Sequence, residues 1–426
     1  MIQLSNMQDV VKARLLLFLL GLIVVPLLTV GVIFFAKGYR PDIKNREIRV
    51  TGILAIHSHP ENSSITLNDQ LLNTVTDTSV NLNPGQYTLE VTKEGYVPWR
   101  KTLTIEPEIV TSTTATLFPS VPTLKPVTSK GATTPSLSPD GSKVAYSSLT
   151  NRREIYTLDL NESPLGLLNR ESRLLATLPG DSKSVSWKLE WSPDSRQVLA
   201  TNITNPNASP SAYLIDSGNQ QITNISATIN RTIDDWKQRQ KIEYLQKFST
   251  LPVKLKEVLA TAAADLVWSP KENKLLYTAT DSAQLADQII SPLPGSSSQP
   301  QTRSLTTGGV YVYDLVEDRN FLIDQISPTP TPKKGKPAPT GCTNCKPDAQ
   351  WLWFPTSAHL YRVENNKIVI MEYDRQNLTT VYTGPLTELI VFPYPSGKQM
   401  LLITNLTTTP TPDLPSLPNL YALNLK

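Results

Sequence analysis

Leu137-Ser-Pro-Asp-Gly-Ser-Lys-Val-Ala-Tyr146 decides how this chain folds, because the phrase returns. Close copies are Trp191-Ser-Pro-Asp-Ser-Arg-Gln-Val-Leu199 and Trp268-Ser-Pro-Lys-Glu-Asn-Lys-Leu-Leu-Tyr277. Weaker ones are Trp353-Phe-Pro-Thr-Ser-Ala-His-Leu-Tyr361 and Phe392-Pro-Tyr-Pro-Ser-Gly-Lys-Gln-Met-Leu-Leu402. Each reads as strand, tight turn, strand: an apolar residue or Trp closes the first strand, a Pro-Asp-Gly type tetrad turns, and an apolar run follows. A third strand comes behind most copies, in Glu154-Ile-Tyr-Thr-Leu-Asp159, Ala212-Tyr-Leu-Ile-Asp216, Val310-Tyr-Val-Tyr-Asp314 and Asn419-Leu-Tyr-Ala-Leu423. Three or four strands that cannot bury both faces alone are the mark of propeller blades.

The prolines that anchor these phrases are Pro139, Pro193, Pro270, Pro355 and Pro393, in steps of 54, 77, 85 and 38 residues. A blade needs about 40–45 residues, so three of the blades carry insertions. Five blades fill residues 123–426, and a sixth has room only in inserted material that does not read as strand. Leu124–Thr128 precedes the first phrase and is placed to complete the last blade, closing the ring. The phrase resembles the TolB-like propeller repeat, in which a Ser-Pro-Asp-Gly turn precedes an apolar strand and a second strand of the form Ile-Tyr-x-x-Asp.

Between the second and third phrases the period changes. Ile233, Trp236, Ile242, Leu245 and Phe248 recur at helical spacing, Pro252 opens a second pattern, and Leu255, Val258, Leu259 and Ala262 continue it. Residues 229–263 are therefore expected to be a helical insertion that packs on the propeller, covers the ring mouth or docks a partner. Segments 291–301 and 327–349 are rich in Pro, Ser and Thr, and the second contains Pro-Thr-Pro-Thr-Pro, an extended loop.

Upstream, residues 52–118 alternate apolar and polar side chains in short runs: Leu54, Ile56 and Ser58, then Ile65 and Leu67, Val80 and Leu82, Tyr87, Leu89 and Val91, and Leu103 and Ile105. Breaks at Pro60-Glu61-Asn62, Asn68-Asp69 and Asn83-Pro84-Gly85 make this a small antiparallel sandwich. Gly52-x-Leu54-x-Ile56-x-Ser58-x-Pro60, Pro84-Gly85-x-Tyr87 and Lys93-Glu94-Gly95-Tyr96 resemble a PEGA domain. Where that family carries Pro-Glu-Gly-Ala, this chain has Pro60-Glu61-Asn62-Ser63, and Asn tolerates the left-handed turn. The resemblance implies a surface-layer or envelope location and no enzymatic activity.

The N-terminal stretch sets the compartment. Leu15–Ala36 is an uncharged, mostly apolar run between Lys12 and Arg14 on one side and Lys37 and Arg40 on the other. As a helix it measures about 33 Å, enough to cross a hydrocarbon core of about 30 Å. A cleaved signal has a shorter apolar region and a small-x-small exit, whereas this run leaves through Phe34-Phe35-Ala36-Lys37-Gly38. A buried core helix would need an amphipathic pattern, which is missing. The expected plan is a cytoplasmic tail (1–14), a transmembrane signal anchor (15–36), a linker (37–51) and an exported remainder. Basic residues flank both ends, so the positive-inside count is nearly even; the short tail places the N-terminus inside. That tail is too short for a sensor's output domain.

Composition fits an all-β extracytoplasmic protein with 35 Pro, 18% charged residues and a net charge of +3. The near-neutral balance argues against a nucleic-acid footprint, which would need a concentrated basic face, and no nucleic-acid partner is expected. Cys342 and Cys345 are the two cysteines. A lone C-x-x-C is half a zinc site and lacks a thioredoxin-like context, so a local disulfide is expected, with a metal shared between two chains as the alternative. His57 and His59 share a strand face near Glu61; the spacing permits a metal, while the alternation makes both simply outward-facing.

No Gly-x-Ser-x-Gly elbow or phosphate-binding glycine loop occurs. Three histidines, of which only His359 lies in the propeller region, leave too few partners for a triad or a His-based metal centre, and no cofactor is expected. Carboxylates remain: Glu190, Asp265 and Asp348 sit near the starts of phrases and are placed to face a channel, where a glycosidase would need two of them about 5–9 Å apart. Strand-start carboxylates are more often turn residues. Trp187, Trp191, Trp268, Trp351 and Trp353 cluster at the same starts, either packing between blades or forming a stacking surface for sugar or peptide. The reading is a non-enzymatic, membrane-anchored platform for an envelope protein or polysaccharide; the alternative is an extracytoplasmic carbohydrate-active enzyme.

Overall fold

A computed structural model describes residues 2–36, 39–42, 47–161, 172–181, 184–204, 211–326, 350–364, 366–406 and 417–426. Cys342, Cys345, Asp348 and the Pro/Thr-rich segment 327–349 lie outside these. The chain divides into two compact units, the first comprising Met1–Lys93, Pro98–Leu117 and Leu293–Gln299, and the second the remainder.

The first unit begins with α1 (Ile2–Ala36). Its stretch Arg14–Phe34 is 21 residues long, has a mean hydropathy of 2.9 and is 0% buried, so it is long and apolar enough to cross a membrane. Pro26 lies inside it without ending the helix. The segment expected to be a linker instead contains a hairpin, Tyr39–Asp42 against Glu47–Val50. Four-residue strands rich in charge carry no alternation long enough to be seen in sequence.

The sandwich follows. One sheet has Gly52–His59 at its centre, flanked by Thr78–Leu82 and Val110–Thr116; the other orders Gln70–Val75, Ser64–Leu67, Gly85–Thr92 and Trp99–Ile105. Its core is the alternating set, with Leu54, Ile56, Ile65, Leu89 and Val91 fully buried and Trp99 2% exposed. One feature corrects the antiparallel expectation: Gly52–His59 pairs in parallel with Val110–Thr116. Period-two alternation is identical for either direction, and only the length of the connection distinguishes them. Asn62 has φ +56°, the left-handed conformation its type tolerates. The buried hydroxyls of Ser58, Ser63 and Thr76 satisfy one another and the Pro60 carbonyl. Within the 291–301 segment, Ser298 Oγ accepts the Thr104 N–H (3.1 Å) and Gln299 Nε2 donates to the Thr102 carbonyl (2.6 Å).

In the second unit the described residues form five four-stranded sheets, each opened by one copy of the phrase. The first sheet runs Ala132–Leu137, Lys143–Ser148, Glu154–Asp159 and Arg173–Thr177; the second runs Trp187–Trp191, Gln197–Asn202, Ala212–Asp216 and Ile222–Asn224. The third takes Ala263–Trp268, Lys274–Ala279, Gly309–Asp314 and Arg319–Gln325, and the fourth Leu352–Trp353, His359–Glu364, Lys367–Glu372 and Thr379–Thr383. The fifth contains Val391–Pro393, Gln399–Thr404 and Asn419–Asn424, and Leu124–Pro126 is its outer strand, pairing Leu124 with Leu423. Residues from both ends of the unit thus share one sheet, as the sequence suggested.

The phrase builds the same turn five times. Its fourth residue donates its N–H back to the carbonyl of the first and sits at positive φ: Gly141 (+71°), Ser195 (+60°), Glu272 (+56°), Ser357 (+59°) and Gly397 (+67°). Only glycine takes that conformation without a steric cost, which explains the Asp-Gly of the best copy. In the fifth copy the turn is Tyr394-Pro-Ser-Gly397, with Tyr394 N–H on the Gln399 carbonyl, so its anchor is Pro395 rather than Pro393. In the second copy the Ser192 hydroxyl donates to Asp194 (2.6 Å), holding that carboxyl below its usual range.

Neighbouring sheets share their cores. Apolar clusters join the first sheet to the second through Ile155, Leu175, Trp187 and Val198, the third to the fourth through Val312, Phe321, Trp351 and Leu360, the fourth to the fifth through Tyr361, Ile370, Met400 and Leu423, and the fifth to the first through Tyr394, Leu401, Val144 and Leu158. At the last seam Glu388 accepts a hydrogen bond from the Thr134 backbone, and burial raises its pKa. A raised carboxyl pKa means that the charged form is penalised in the fold, a cost present above the folded pKa and absent in acid. Glu388→Gln is therefore expected to raise the melting temperature at neutral pH and to leave it unchanged near pH 3; an equal gain at both would contradict this.

The second and third sheets do not follow that pattern. Leu199, Ala212 and Leu214 of the second pack on Ile229, Ile233 and Trp236 of α2 (Ile229–Ser249). Leu275, Tyr277 and Tyr311 of the third pack on Leu255 and Leu259 of α3 (Val253–Ala262) and on Phe248. The helical insertion covers the sheet faces that elsewhere meet another sheet.

Candidate functional site

The tryptophans at the phrase starts have defined duties. Trp191 Nε1 donates to the Ser136 carbonyl (2.9 Å), and Trp353 Nε1 donates to the Val267 carbonyl (2.9 Å). Ser136 and Val267 occupy the same place in their own phrases, one residue before the strand-closing Leu137 or Trp268, so this is one latch used twice. A second fastener accompanies it: Ser195 Oγ accepts the Asp140 N–H (3.1 Å), and Ser357 Oγ accepts the Lys271 N–H (2.9 Å). Trp187 and Trp351 are 1% and 5% exposed and pack between sheets.

Trp268 stands apart from this scheme. Its indole makes no such latch among the described residues; its ring meets Tyr244 of α2 edge-on at 5.6 Å. Beside it lies a cavity of about 360 Å³, lined by Lys247, Leu251, Trp268, Glu272, Ile290 and Leu315 among others. Lys247 Nζ reaches Glu243 at 2.9 Å and Glu272 at 3.0 Å, and these carboxylates, Glu243 first, raise its pKa. The hole is thus apolar-walled with an ion pair at its edge. Sequence reading singled out Trp268 but not Lys247, Glu272 or Tyr244, which resemble ordinary solvated helix and turn residues.

Removing one latch leaves a carbonyl without its donor, at a cost of about 1 kcal/mol. Trp353→Phe is expected to lower stability by about that amount, whereas Trp268→Phe, which has no latch to lose, should change it by only a few tenths. Equal losses in denaturant titrations would show that the latch is not the difference.

Of the carboxylates, Glu190 is partnered by Lys188 two residues away on the same strand face (3.1 Å). Asp265 is exposed, at φ +53° in a bulge of the third sheet's first strand, and Thr134 (φ +51°) occupies the matching bulge of the first. Asp265 thus sits at an irregular point of its strand, and Asp348 lies outside the described residues. His57 Nδ1 lies 3.0 Å from Asp77, and His359 is buried with Nδ1 3.1 Å from Thr356 Oγ1. Among the described residues no group of three or more His, Cys, Asp or Glu is arranged to hold a metal ion.

Residues 51–120 match the PEGA domain model. No curated protein matches the chain. Among solved structures, TolB from Acinetobacter baumannii is 14% identical with a TM-score of 0.23, the match covering 80% of this chain and 60% of that one. Oligogalacturonate lyase from Vibrio parahaemolyticus is 7% identical with a TM-score of 0.27, over 91% of this chain and 96% of that one. The Cps50 (Swd1) β-propeller domain of Myceliophteria thermophila is 11% identical with a TM-score of 0.27, over 72% and 100%. At these scores the likenesses carry no argument about activity.

Proposed function

We propose that this chain is a membrane-anchored, extracytoplasmic platform that binds a protein or polysaccharide of the cell envelope and catalyses no reaction. α1 is its single anchor, the N-terminal tail is cytoplasmic, and the PEGA domain and the sheets of the second unit are exported. The observation that carries the reading is the use made of the side chains a catalytic centre would recruit. Trp191 and Trp353 are spent on inter-sheet latches, Glu190 on Lys188, and His359 on Thr356. The PEGA match supports the envelope location.

Full-length protein in detergent, applied to an array of envelope glycans and to immobilised envelope proteins, tests this. Saturable binding without turnover is the expected result. Glycan cleavage that is lost in Glu190→Gln or Asp265→Asn would replace the reading with that of a carbohydrate-active enzyme.

A further inference from the structure

The chain leaves its membrane-crossing helix and doubles straight back. Arg14–Phe34 is 21 residues long, about 31 Å as a helix against a hydrocarbon core of about 30 Å, so Phe34 falls at the boundary of that core. The ring of Tyr39 meets the ring of Phe34 edge-on, with centroids 4.8 Å apart. Tyr39 is the Cα partner of Val50 in the hairpin of Tyr39–Asp42 and Glu47–Val50, and its hydroxyl donates to Glu108 Oε1. Glu108 lies in the turn between Trp99–Ile105 and Val110–Thr116, and its N–H donates to the Thr51 carbonyl (3.2 Å). Residues 37–51 would span about 50 Å if fully extended. Doubled back, they hold one end of the sandwich at the end of the helix.

We infer that the Tyr39–Val50 hairpin is a membrane-seated collar, which keeps the Gly52 and Glu106–Ile109 end of the sandwich in the headgroup layer of the bilayer. This rests on the anchor of the proposed reading and adds a lipid-contacting surface to it. The headgroup layer is about 5–7 Å deep on each side. A residue whose ring touches Phe34, and the strand paired with it about 5 Å away, lie in that layer. Strand alternation puts Tyr39, Pro41, Ile48 and Val50 on one face of the hairpin, and Arg40, Asp42, Glu47 and Arg49 on the other. An apolar face bearing Tyr suits this position, because the ring's apolar body and its hydroxyl match the two sides of the interface. Val110, at the same end of the sandwich, is 55% exposed. Charge does not carry the contact: residues 37–49 hold five cations and two carboxylates, and Glu106 and Glu108 bring the carboxylates to four. The occupant is therefore the bilayer that the helix already crosses, met through apolar contact and without a need for anionic lipid.

The test uses full-length protein in phosphatidylcholine nanodiscs, with Cys342→Ser/Cys345→Ser as background and one fluorophore-labelled cysteine at a time. Labels at Ile48→Cys and Glu106→Cys are expected to be quenched severalfold more strongly than one at Glu61→Cys by lipid carrying a nitroxide on its headgroup. Glu61 lies beyond the far end of Gly52–His59, about 25 Å from Gly52. The quenching should be the same in phosphatidylglycerol discs and at high salt. Glu106 is outside the hairpin, so its label decides the matter if Ile48→Cys does not fold. Val32→Cys, at a position 67% exposed on the helix, reports the anchor separately through a nitroxide on the acyl chain. Quenching at Val32 while Glu106 stays at the level of Glu61 would overturn the inference and leave the anchor standing. No quenching at Val32 either would remove both. Quenching at Ile48 and Glu106 that requires phosphatidylglycerol and vanishes in salt would also overturn it, in favour of electrostatic adsorption.

Discussion

Ending the chain at residue 416 should abolish cooperative folding of the second unit. Asn419–Asn424 lies inside the fifth sheet, between Gln399–Thr404 and Leu124–Pro126, so its loss strands one partner and opens the edge of the other. It also removes Leu420, Leu423 and Leu425, each no more than 1% exposed, which sit in the two clusters joining the fifth sheet to its neighbours. A buried Leu truncated to Ala costs about 2–5 kcal/mol. Three such losses, before the ladder hydrogen bonds are considered, reach the whole stability of a typical fold, about 5–15 kcal/mol. The truncated protein is expected to lose its thermal transition in tryptophan emission and to be degraded by trace protease. A melt like that of the full chain would show that the strand is dispensable.

Asp314→Ala is expected to cost about 3–5 kcal/mol, the range for leaving a buried charge without its partner. Lys274 Nζ lies 3.1 Å from Asp314 Oδ2, with the side chains 10% and 2% exposed, and over the Tyr373 ring at 4.4 Å from its centroid. Asp314 Oδ1 also accepts the N–H groups of Val316 and Glu317, closing the turn into the sheet's last strand. The substitution therefore strands a cation and two turn amides together. Converting both residues, as Lys274→Met with Asp314→Leu, removes the buried charge altogether and should recover much of the loss, the turn amides excepted. A single-variant cost below about 1 kcal/mol would mean that the pair is effectively solvated.

The parts of this fold legible in sequence are those with local chemistry. The five-fold turn is readable because a proline followed two residues later by Gly or Ser at positive φ recurs in four of the copies, Glu272 taking that place in the third, and the α2–α3 insertion because its period is 3.6. The fifth turn was misplaced because Pro393 and Pro395 flank Tyr394, and only the Tyr394–Gln399 hydrogen bond distinguishes them. The parallel pairing of Gly52–His59 and the Tyr39–Val50 hairpin depend on partners distant in sequence or on strands too short to show a pattern. At the site, the same Trp-Ser-Pro phrase surrounds Trp191 and Trp268, so no local signal separates a latched indole from one lining a cavity. The difference comes from what covers the neighbouring sheet.

The most direct test of the account is where the bulk of the chain resides. Membranes washed with alkaline carbonate should retain the full-length protein, and protease added to intact spheroplasts should digest it downstream of α1. Release by carbonate with the N-terminal residues already removed, or protection from the added protease, would contradict an anchored, exported platform.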